Sequence, residues 1–164
     1  MRLLHTSDWH IGRSLHGTDL LAEQEAVLGA LADVVAAESV DVVLVAGDVY
    51  DRAVPSADAT AVLGRVVAKL RRAGAVVVLT PGNHDSARRL GAFSELLAVG
   101  GLHVRAETSR LDEPVLLADA HGDVAVYGLP FLEPEIARFE LGVTTARSHE
   151  ASRLKNRKAS GIPQ

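Results

Sequence analysis

Six polar residues with side chains suited to chemistry lie in three short segments of this 164-residue chain. They are Asp8 and His10, then Asp48, then Asn83, His84 and Asp85. Carboxylate, imidazole and amide-oxygen ligands together favour Mn²⁺ or a similar first-row divalent ion. Two such ions about 3.5–4 Å apart can hold a phosphate, activate a water molecule and stabilise the leaving oxygen. The residue types therefore indicate metal-assisted phosphoester hydrolysis, provided that the fold brings them together.

Four of these residues are the predicted metal ligands. Asp8 and His10 are two positions apart, so in an extended chain their side chains point the same way and form half of a site. Asp48 has two carboxylate oxygens and can bridge two ions. Asn83 offers a neutral carbonyl oxygen to the second ion without adding charge. The pair Asp8 and His10 is a weak signal alone, and the prediction depends on all three segments meeting.

The remaining two residues suit proton transfer. His84 directly follows the ligand Asn83, which places it to protonate a leaving group or to stabilise the transition state. Asp85 is expected to orient His84 through one ring nitrogen. Taken alone, the segment Pro81–Asp85 is typical of a polar turn. The functional interpretation rests on its position beside two similar segments.

The elements that must position these residues alternate between strands and helices. Residues 40–46 form an almost unbroken β-branched run that ends at Gly47, which is typical of a buried central strand of a parallel sheet covered by helices on both faces. The pattern predicts strands at 2–6, 41–46, 75–79 and 102–104, and helices at 19–37, 57–72 and 87–99. A hairpin of residues 115–118 and 124–127 is expected around a turn at 121–123.

This order predicts an α/β fold with a parallel-centred sheet flanked by helices, because strand–helix–strand crossovers are right-handed and give parallel neighbours. The carboxyl ends of the first three strands then lie along one edge of the sheet, where open α/β sheets bind ligands. All six polar residues follow those strand ends. The expected helix cap is Thr18 or Asp19 for the first helix, and residue 56 for the second.

The three segments resemble the first three motifs of the calcineurin-like metallophosphoesterases. The matching stretches are Asp8-Trp9-His10-Ile11-Gly12, Gly47-Asp48-Val49-Tyr50-Asp51-Arg52 and Gly82-Asn83-His84-Asp85. The opening residues 1–10 are similar to those of the SbcD family of nuclease subunits, and the resemblance extends to about residue 135. It implies a layered metallophosphoesterase fold with a two-ion site, whose ligands here are Asp8, His10, Asp48 and Asn83.

The resemblance also implies an activity and partners. Members of that family are Mn²⁺-dependent DNA exonucleases and endonucleases of DNA repair, and they work with an SbcC-type coiled-coil ATPase subunit. They form homodimers through the helices after the second and third motifs, here about 57–72 and 87–99. Arg52 stands where some relatives carry a histidine near the substrate, which implies a phosphate contact.

One departure from the family concerns the second half of its domain. Family members continue for more than a hundred residues and supply a lone histidine and a Gly-His-x-His motif that complete both metal sites. We therefore expect a fold truncated before that half, with residues 1–142 as the nuclease part and 143–164 as a basic, disordered tail. One ion would keep Asp8, His10 and Asp48, and the second only Asp48 and Asn83, so weak activity or none is expected. None of His5, His16, His103, His121 and His149 is expected to be a ligand.

Composition fits a single cytoplasmic domain. The net charge is -4 and cysteine is absent, which excludes disulfides and thiolate metal sites. An acidic body is unlike an autonomous nucleic-acid binder, so metal ions or a partner would have to attract DNA. Two alternatives remain open at this point: a phosphoesterase acting on nucleotides or other small phosphoesters, which would enclose its metals, and an inactive fragment that only dimerises or binds partners.

Overall fold

The computed structural model of the protein describes residues 1–134, 138–139 and 142. The tail predicted at 143–164, which includes His149, lies outside the described residues. In chain order the elements are β1 (Leu3–Ser7), β2 (Ser14–Leu15), β3 (Thr18–Asp19), α1 (Leu21–Ala37), β4 (Val42–Ala46), α2 (Ala57–Arg72), β5 (Val76–Leu79), α3 (Ala87–Leu90), α4 (Ser94–Val99), β6 (Leu102–Val104), a single 3₁₀ turn (Thr108–Arg110), β7 (Val115–Asp119) and β8 (Gly122–Val126).

The central sheet has the order β1-β4-β5-β6, and all three pairs of neighbours are parallel. In register, Leu4 lies opposite Val43, and Val43 opposite Val77. The carboxyl ends of β1, β4 and β5 therefore share one edge, as the sequence predicts. The parallel-centred α/β sheet flanked by helices is confirmed.

The two faces of the sheet are covered differently in the described part of the chain. On one face, Val35 of α1 and Val62, Val66 and Leu70 of α2 form one buried cluster with side chains of β4 and β5. On the other face, Val115 of β7 packs with side chains of β4 and β5. Helices were expected on both faces, and among the described residues the second face is covered by the hairpin of β7 and β8. The hairpin can cover it because its apolar residues alternate, burying one side of a two-stranded sheet.

The first helix begins two residues later than predicted. Ser14–Leu15 and Thr18–Asp19 pair as a small antiparallel hairpin, turned by His16 and Gly17 at φ values of 49° and 82°. The strand pairing removes Thr18 and Asp19 from the helix. Asp19 still acts at its start, because its Oδ1 accepts a hydrogen bond from the amide of Leu21 at 2.9 Å.

The helix predicted at 87–99 is two helices, α3 and α4, joined by a turn at 91–93. The Ser86 hydroxyl accepts from the Arg89 amide and caps α3, and Gly91 ends it after one turn. Glycine is costly inside a helix, and the apolar periodicity on either side of it concealed the break. Helix α2 begins and ends as predicted, with the Ser56 hydroxyl accepting from the Ala59 amide at 3.1 Å.

The predicted hairpin is present with a tighter turn. Residues 120–121 make the turn, and Gly122 and Asp123 belong to β8 instead. The Asp119 carboxylate accepts from the His121 amide at 2.7 Å and closes the turn locally. Among the described residues, no helix combines the length and the apolar character needed to cross a membrane.

Candidate metal centre

The loop after β1 carries the first two predicted ligands in an unusual backbone conformation. Asp8 and His10 have φ values of 54° and 45°, in the left-handed region that few residues other than glycine adopt. The extended chain predicted for this pair is therefore wrong. The loop is held by bonds along β4 and its continuation: the Asp8 amide donates to the Ala46 carbonyl and the His10 amide to the Asp48 carbonyl, both at 3.1 Å. Strained backbone of this kind is typical of functional sites.

The Asp8 carboxylate lies against the turn that follows β4. Its Oδ1 accepts a hydrogen bond from the Asp48 amide at 3.2 Å. Gly47 makes this approach possible, since its φ is 85° and a Cβ at that position would overlap the Asp8 carboxylate. The side chain of Asp8 remains exposed. The β1 and β4 ends are thus joined through the carboxylate that the sequence predicts as a ligand.

The buried Asp48 carboxylate lies at the centre of the site, with only 6% of its surface exposed. Its Oδ1 accepts from the His84 amide at 2.7 Å, and its Oδ2 lies 3.6 Å from Nε2 of His10. A Cβ on Gly82 would overlap this carboxylate, so glycine is required there for space. Asp48 therefore joins the end of β4 to the loops after β1 and β5.

The structure brings three potential ligand atoms together. One nitrogen from each of His10 and His84 and one oxygen of Asp48 lie within 4.8 Å of one another. The two imidazole rings meet edge to face, with centroids 5.0 Å apart and an angle of 87° between the rings. This group includes His84, which the sequence assigned to catalysis, and excludes Asp8, which it assigned to the metal. The Asp8 carboxylate instead lies beside this group, where it accepts a hydrogen bond from the Asp48 amide.

Asp51 contacts both histidines and was missed as a site residue. Its backbone carbonyl lies 2.8 Å from Nδ1 of His84, and its carboxylate Oδ1 lies 3.4 Å from Nδ1 of His10. Because a carbonyl only accepts, Nδ1 of His84 must carry the proton, which leaves Nε2 of the neutral ring free to bind a metal or transfer a proton. The sequence signal for Asp51 was its position three residues after Asp48, in the turn that follows β4.

The nitrogen atom Nδ1 of His10 is buried and has no hydrogen bond, because the 3.4 Å contact with Asp51 lacks hydrogen-bond geometry. A buried unpaired nitrogen is costly. The Asp51 carboxylate is the acceptor that faces this nitrogen, while Nε2 faces the Asp48 carboxylate. Histidine metal ligands commonly donate their other nitrogen to a carboxylate in this way.

Asp85 has a different role in the structure from the predicted one. Its Oδ2 accepts from the amides of Val49 and Gly82, and its Oδ1 accepts from the amide of Tyr50, each at 2.9 Å. The predicted contact with the His84 ring is absent among the described contacts, because both oxygens are taken by backbone amides. Burial raises the pKa of Asp85, and the three amide hydrogen bonds oppose that rise. Asp85 thereby fastens the loop after β5 to the turn after β4.

The pKa of His84 is raised above its ordinary value of 6.5, chiefly by the hydrogen bond to the Asp51 carbonyl. The negative charges of Asp48 and Asp51 act in the same direction. Because the ring is exposed, a proton or a metal ion can reach its Nε2 from solvent. The raised pKa favours the protonated form of the His84 ring, which suits this side chain to donate a proton.

The other residues singled out in the sequence lie around or away from this group. Asn83 and Arg52 are exposed, on the loops after β5 and β4. His103 lies in β6 and His121 in the hairpin turn, outside the three-residue group.

Gln24 of α1 holds the loop after β1 and was also missed. Its amide nitrogen donates to the carbonyls of Trp9 at 3.2 Å and His10 at 2.7 Å, and its oxygen accepts from the Gly12 amide at 2.9 Å. The Trp9 ring is buried and donates to the Thr6 hydroxyl at 3.1 Å. A glutamine inside a helix carries no sequence signal for such contacts.

The donor set fits a divalent cation. Imidazole nitrogens and carboxylate oxygens of this kind suit first-row ions. The unpaired Nδ1 of His10 and the close packing of two glycines around the Asp8 and Asp48 carboxylates indicate a site organised around charged groups.

Comparison with known proteins identifies the family to which the chain belongs. Residues 1–142 match the family of calcineurin-like phosphoesterases. The chain belongs to this family. Among curated phosphoesterases of the family, it is similar to the SbcD subunit of the nuclease SbcCD of Rhodobacter capsulatus, with 43% identity over 80% of this chain and 35% of that protein. The SbcD subunits of Staphylococcus saprophyticus and Escherichia coli K12 are each 33% identical, over 80% and 82% of this chain.

The chain spans about a third of the length of the curated relatives it matches, since 34–35% of each is covered. The part that matches the family, residues 1–142, contains all three strand ends and every residue of the candidate metal centre. The resemblance to the SbcD family stated from the sequence is confirmed.

Proposed function

We propose that this chain carries the first part of a metal-dependent nuclease that hydrolyses phosphodiester bonds in DNA. The observation that supports this most is the convergence of His10, Asp48 and His84 at one edge of the sheet in a calcineurin-like phosphoesterase. The similarity to subunits named as nucleases supports DNA as the substrate. Exonuclease and endonuclease activity, and a cytoplasmic location, are part of this proposal.

Asp8, His10, Asp48 and Asn83 are the proposed ligands, and Mn²⁺ is the proposed ion. When bound, the metal supplies an activated water and offsets charge on the phosphate oxygens. Asp48 accepts from the His84 amide through one oxygen, which leaves the other directed toward His10. Of these residues only His10 and Asp48 belong to the compact group, so we propose one well-formed ion site.

His84 is the proposed catalytic residue for proton transfer. Its Nδ1 is fixed by the Asp51 carbonyl, so that Nε2 is the atom that holds or delivers a proton at the leaving oxygen. Asp85 acts as a positioning residue through the backbone, since it binds the amides on both sides of the site. Arg52, exposed beyond Asp51, is proposed to contact a phosphate of the substrate.

The proposed partners are DNA, an SbcC-type coiled-coil ATPase subunit and a second copy of this chain. The name of the relatives, which makes them subunits of SbcCD, supports the ATPase partner. Exposed apolar side chains support self-association: Phe93, Leu96 and Val99 are 69%, 71% and 89% exposed. They lie at 93–99, within the region that the sequence predicted. Val62, Val66 and Leu70 of α2 are buried in the core and cannot contribute.

The test is DNA cleavage in Mn²⁺ by this chain, and by a chimera that adds the remaining segment of the Rhodobacter capsulatus relative. We expect cleavage that is weak in the chain alone and stronger in the chimera, because the added segment supplies further ligands. Asp48→Asn should abolish cleavage in both. Asp123→Asn, an exposed acid on β8, is the control. Equal rates for wild type and Asp48→Asn would overturn the proposal.

A further inference from the structure

A cavity of about 680 Å³ adjoins the candidate metal centre on the Asn83 side. Its walls are the loop after β5, helix α3 with the turn that follows it, the segment 106–109 and the loop at 131–133. Asn83 and Asp85 belong both to this wall and to the candidate site. A chemical group bound in the cavity would therefore lie next to a phosphate bound at the metal centre. The volume lies within the range of small-molecule sites.

The lining of the cavity combines groups that bind nucleosides. The lining residues include Ser86, Thr108 and Ser109, which carry hydroxyls, the cationic Arg88 and the aromatic Phe131. Two acidic residues, Glu107 and Glu133, also line it. Carboxylates would repel a phosphate deep in the cavity, but they accept hydrogen bonds from the amino groups of bases. The chemistry fits a neutral base more closely than a free polyanion.

The backbone of Phe131 is fixed beside this cavity. Its amide donates to the Pro81 carbonyl at 2.9 Å, two residues before Asn83. The next residue, Leu132, is buried against Leu111 and anchors the loop. Phe131 is 37% exposed. A partly exposed aromatic residue on an anchored loop offers a surface on which a base can stack, whatever the identity of the base.

We propose that this cavity receives the base of the nucleotide next to the scissile phosphate, stacked on Phe131. Arg88, on α3, contacts the sugar–phosphate backbone at the cavity wall. The phosphate stays at the metal centre while the base enters the cavity beside it. This inference rests on the proposed function and adds a base-binding subsite to the same site.

The test compares two competitors of a fluorescein-labelled single-stranded oligodeoxynucleotide, measured by anisotropy in Mn²⁺ with strands whose phosphorothioate linkages resist hydrolysis. One competitor carries bases, and the other is an abasic strand of the same length. Stacking on an aromatic ring contributes about 5- to 100-fold per base. We expect wild type to prefer the base-bearing strand about tenfold or more. Phe131→Leu should bring the ratio of the two affinities close to one, and Phe131→Tyr should retain the preference for the base-bearing strand.

Arg88 and Arg89 provide a matched pair, because Arg88 lines this cavity and Arg89 lines a separate apolar one. Arg88→Gln should weaken binding of both strands by a similar factor, since it removes a backbone contact, and Arg89→Gln should not. This pair keeps the proposal testable if Phe131→Leu fails to fold. An unchanged base preference in Phe131→Leu, or equal effects of the two arginine substitutions, would overturn it.

The same proteins separate this inference from the proposed function. A base preference that disappears in Phe131→Leu, in a protein that hydrolyses no phosphodiester with Mn²⁺, would leave the subsite standing and remove the nuclease assignment. Mn²⁺-dependent hydrolysis without any base preference would remove the subsite alone.

Discussion

At the scale of single residues, the site depends on carboxylates that accept hydrogen bonds from backbone amides. Asp8 and Asp48 each accept one such bond from the amide of a neighbouring loop, and Asp85 accepts three. Each such bond satisfies a donor in a loop that no regular ladder serves. The same hydrogen bonds fix the positions of the carboxylate oxygens that remain available to bind a cation. Binding a metal and closing the loops are therefore properties of the same side chains.

Asp51 supplies the first prediction. Its carboxylate faces Nδ1 of His10, so removing it frees the ring that is proposed to bind through Nε2. We expect Asp51→Ala to weaken Mn²⁺ binding by about 10- to 100-fold, as loss of a partner behind a histidine ligand typically does. Calorimetric titration measures it. Asp51→Asn should lose less, because its amide oxygen still accepts, and an affinity unaffected by Asp51→Ala would contradict the role.

Gly47 supplies a second prediction, with Gly17 as its control. Both have positive φ, 85° and 82°, but a Cβ at Gly47 would overlap the Asp8 carboxylate, whereas nothing lies within 4 Å at Gly17. Alanine at either position introduces backbone strain of about 1 kcal/mol or more. Gly47→Ala should lower the free energy of unfolding further than Gly17→Ala and should also impair Mn²⁺ binding. Equal losses in chemical denaturation would show that the contact with Asp8 is unimportant.

At the scale of elements, the parallel strand ends were predictable and the loops between them were not. The apolar runs at 41–46 and 75–79 have one plausible structure, and helix order then determines the edge on which Asp48 and Asn83 emerge. The left-handed backbone at Asp8 and His10 depends on tertiary hydrogen bonds to Ala46 and Asp48, which no local pattern encodes. The contacts of Asp51 were hidden for the same reason.

Helix α1 provides the prediction at this scale. Three hydrogen bonds from Gln24 hold the loop that carries His10. Gln24→Ala leaves two carbonyls and one amide without that partner, so we expect it to destabilise the fold by about 1–3 kcal/mol and to weaken Mn²⁺ binding. Glu23→Ala, at an exposed neighbouring position, should do neither. Thermal denaturation and metal titration of both variants provide the comparison, and identical behaviour would refute the role of Gln24.

At the scale of the whole molecule, two surfaces govern association. The chain carries a net charge of -4, so electrostatic attraction to DNA must come from bound cations or from a partner. The exposed apolar side chains at 93–99 form a surface suited to a second copy, since two-fold dimers are the commonest oligomers. Under the proposed function, DNA would bind at the metal edge of the sheet, and a second copy would bind at 93–99, which begins directly after the cavity wall at 91–92.

Leu96 and Leu116 allow the dimer to be tested with matched variants, because both are 71% exposed, on α4 and β7 respectively. Leu96→Glu should shift the chain toward monomer, since it adds a charge to the proposed interface. Leu116→Glu should leave the association unchanged. Sedimentation equilibrium at micromolar concentration measures both, and a monomeric wild type would contradict the proposal.

The central claim is that the carboxyl ends of β1, β4 and β5 form one divalent-metal site. Calorimetric titration of the chain with Mn²⁺ tests it most directly. We expect one tight site, because the proposed ligands His10 and Asp48 lie in one compact group and the Asp8 carboxylate accepts a hydrogen bond from the Asp48 amide beside it. Asp48→Ala should abolish that site, and Asp123→Ala should leave it intact. Absence of Mn²⁺ binding in wild type, or a site that persists unchanged in Asp48→Ala, would contradict the claim.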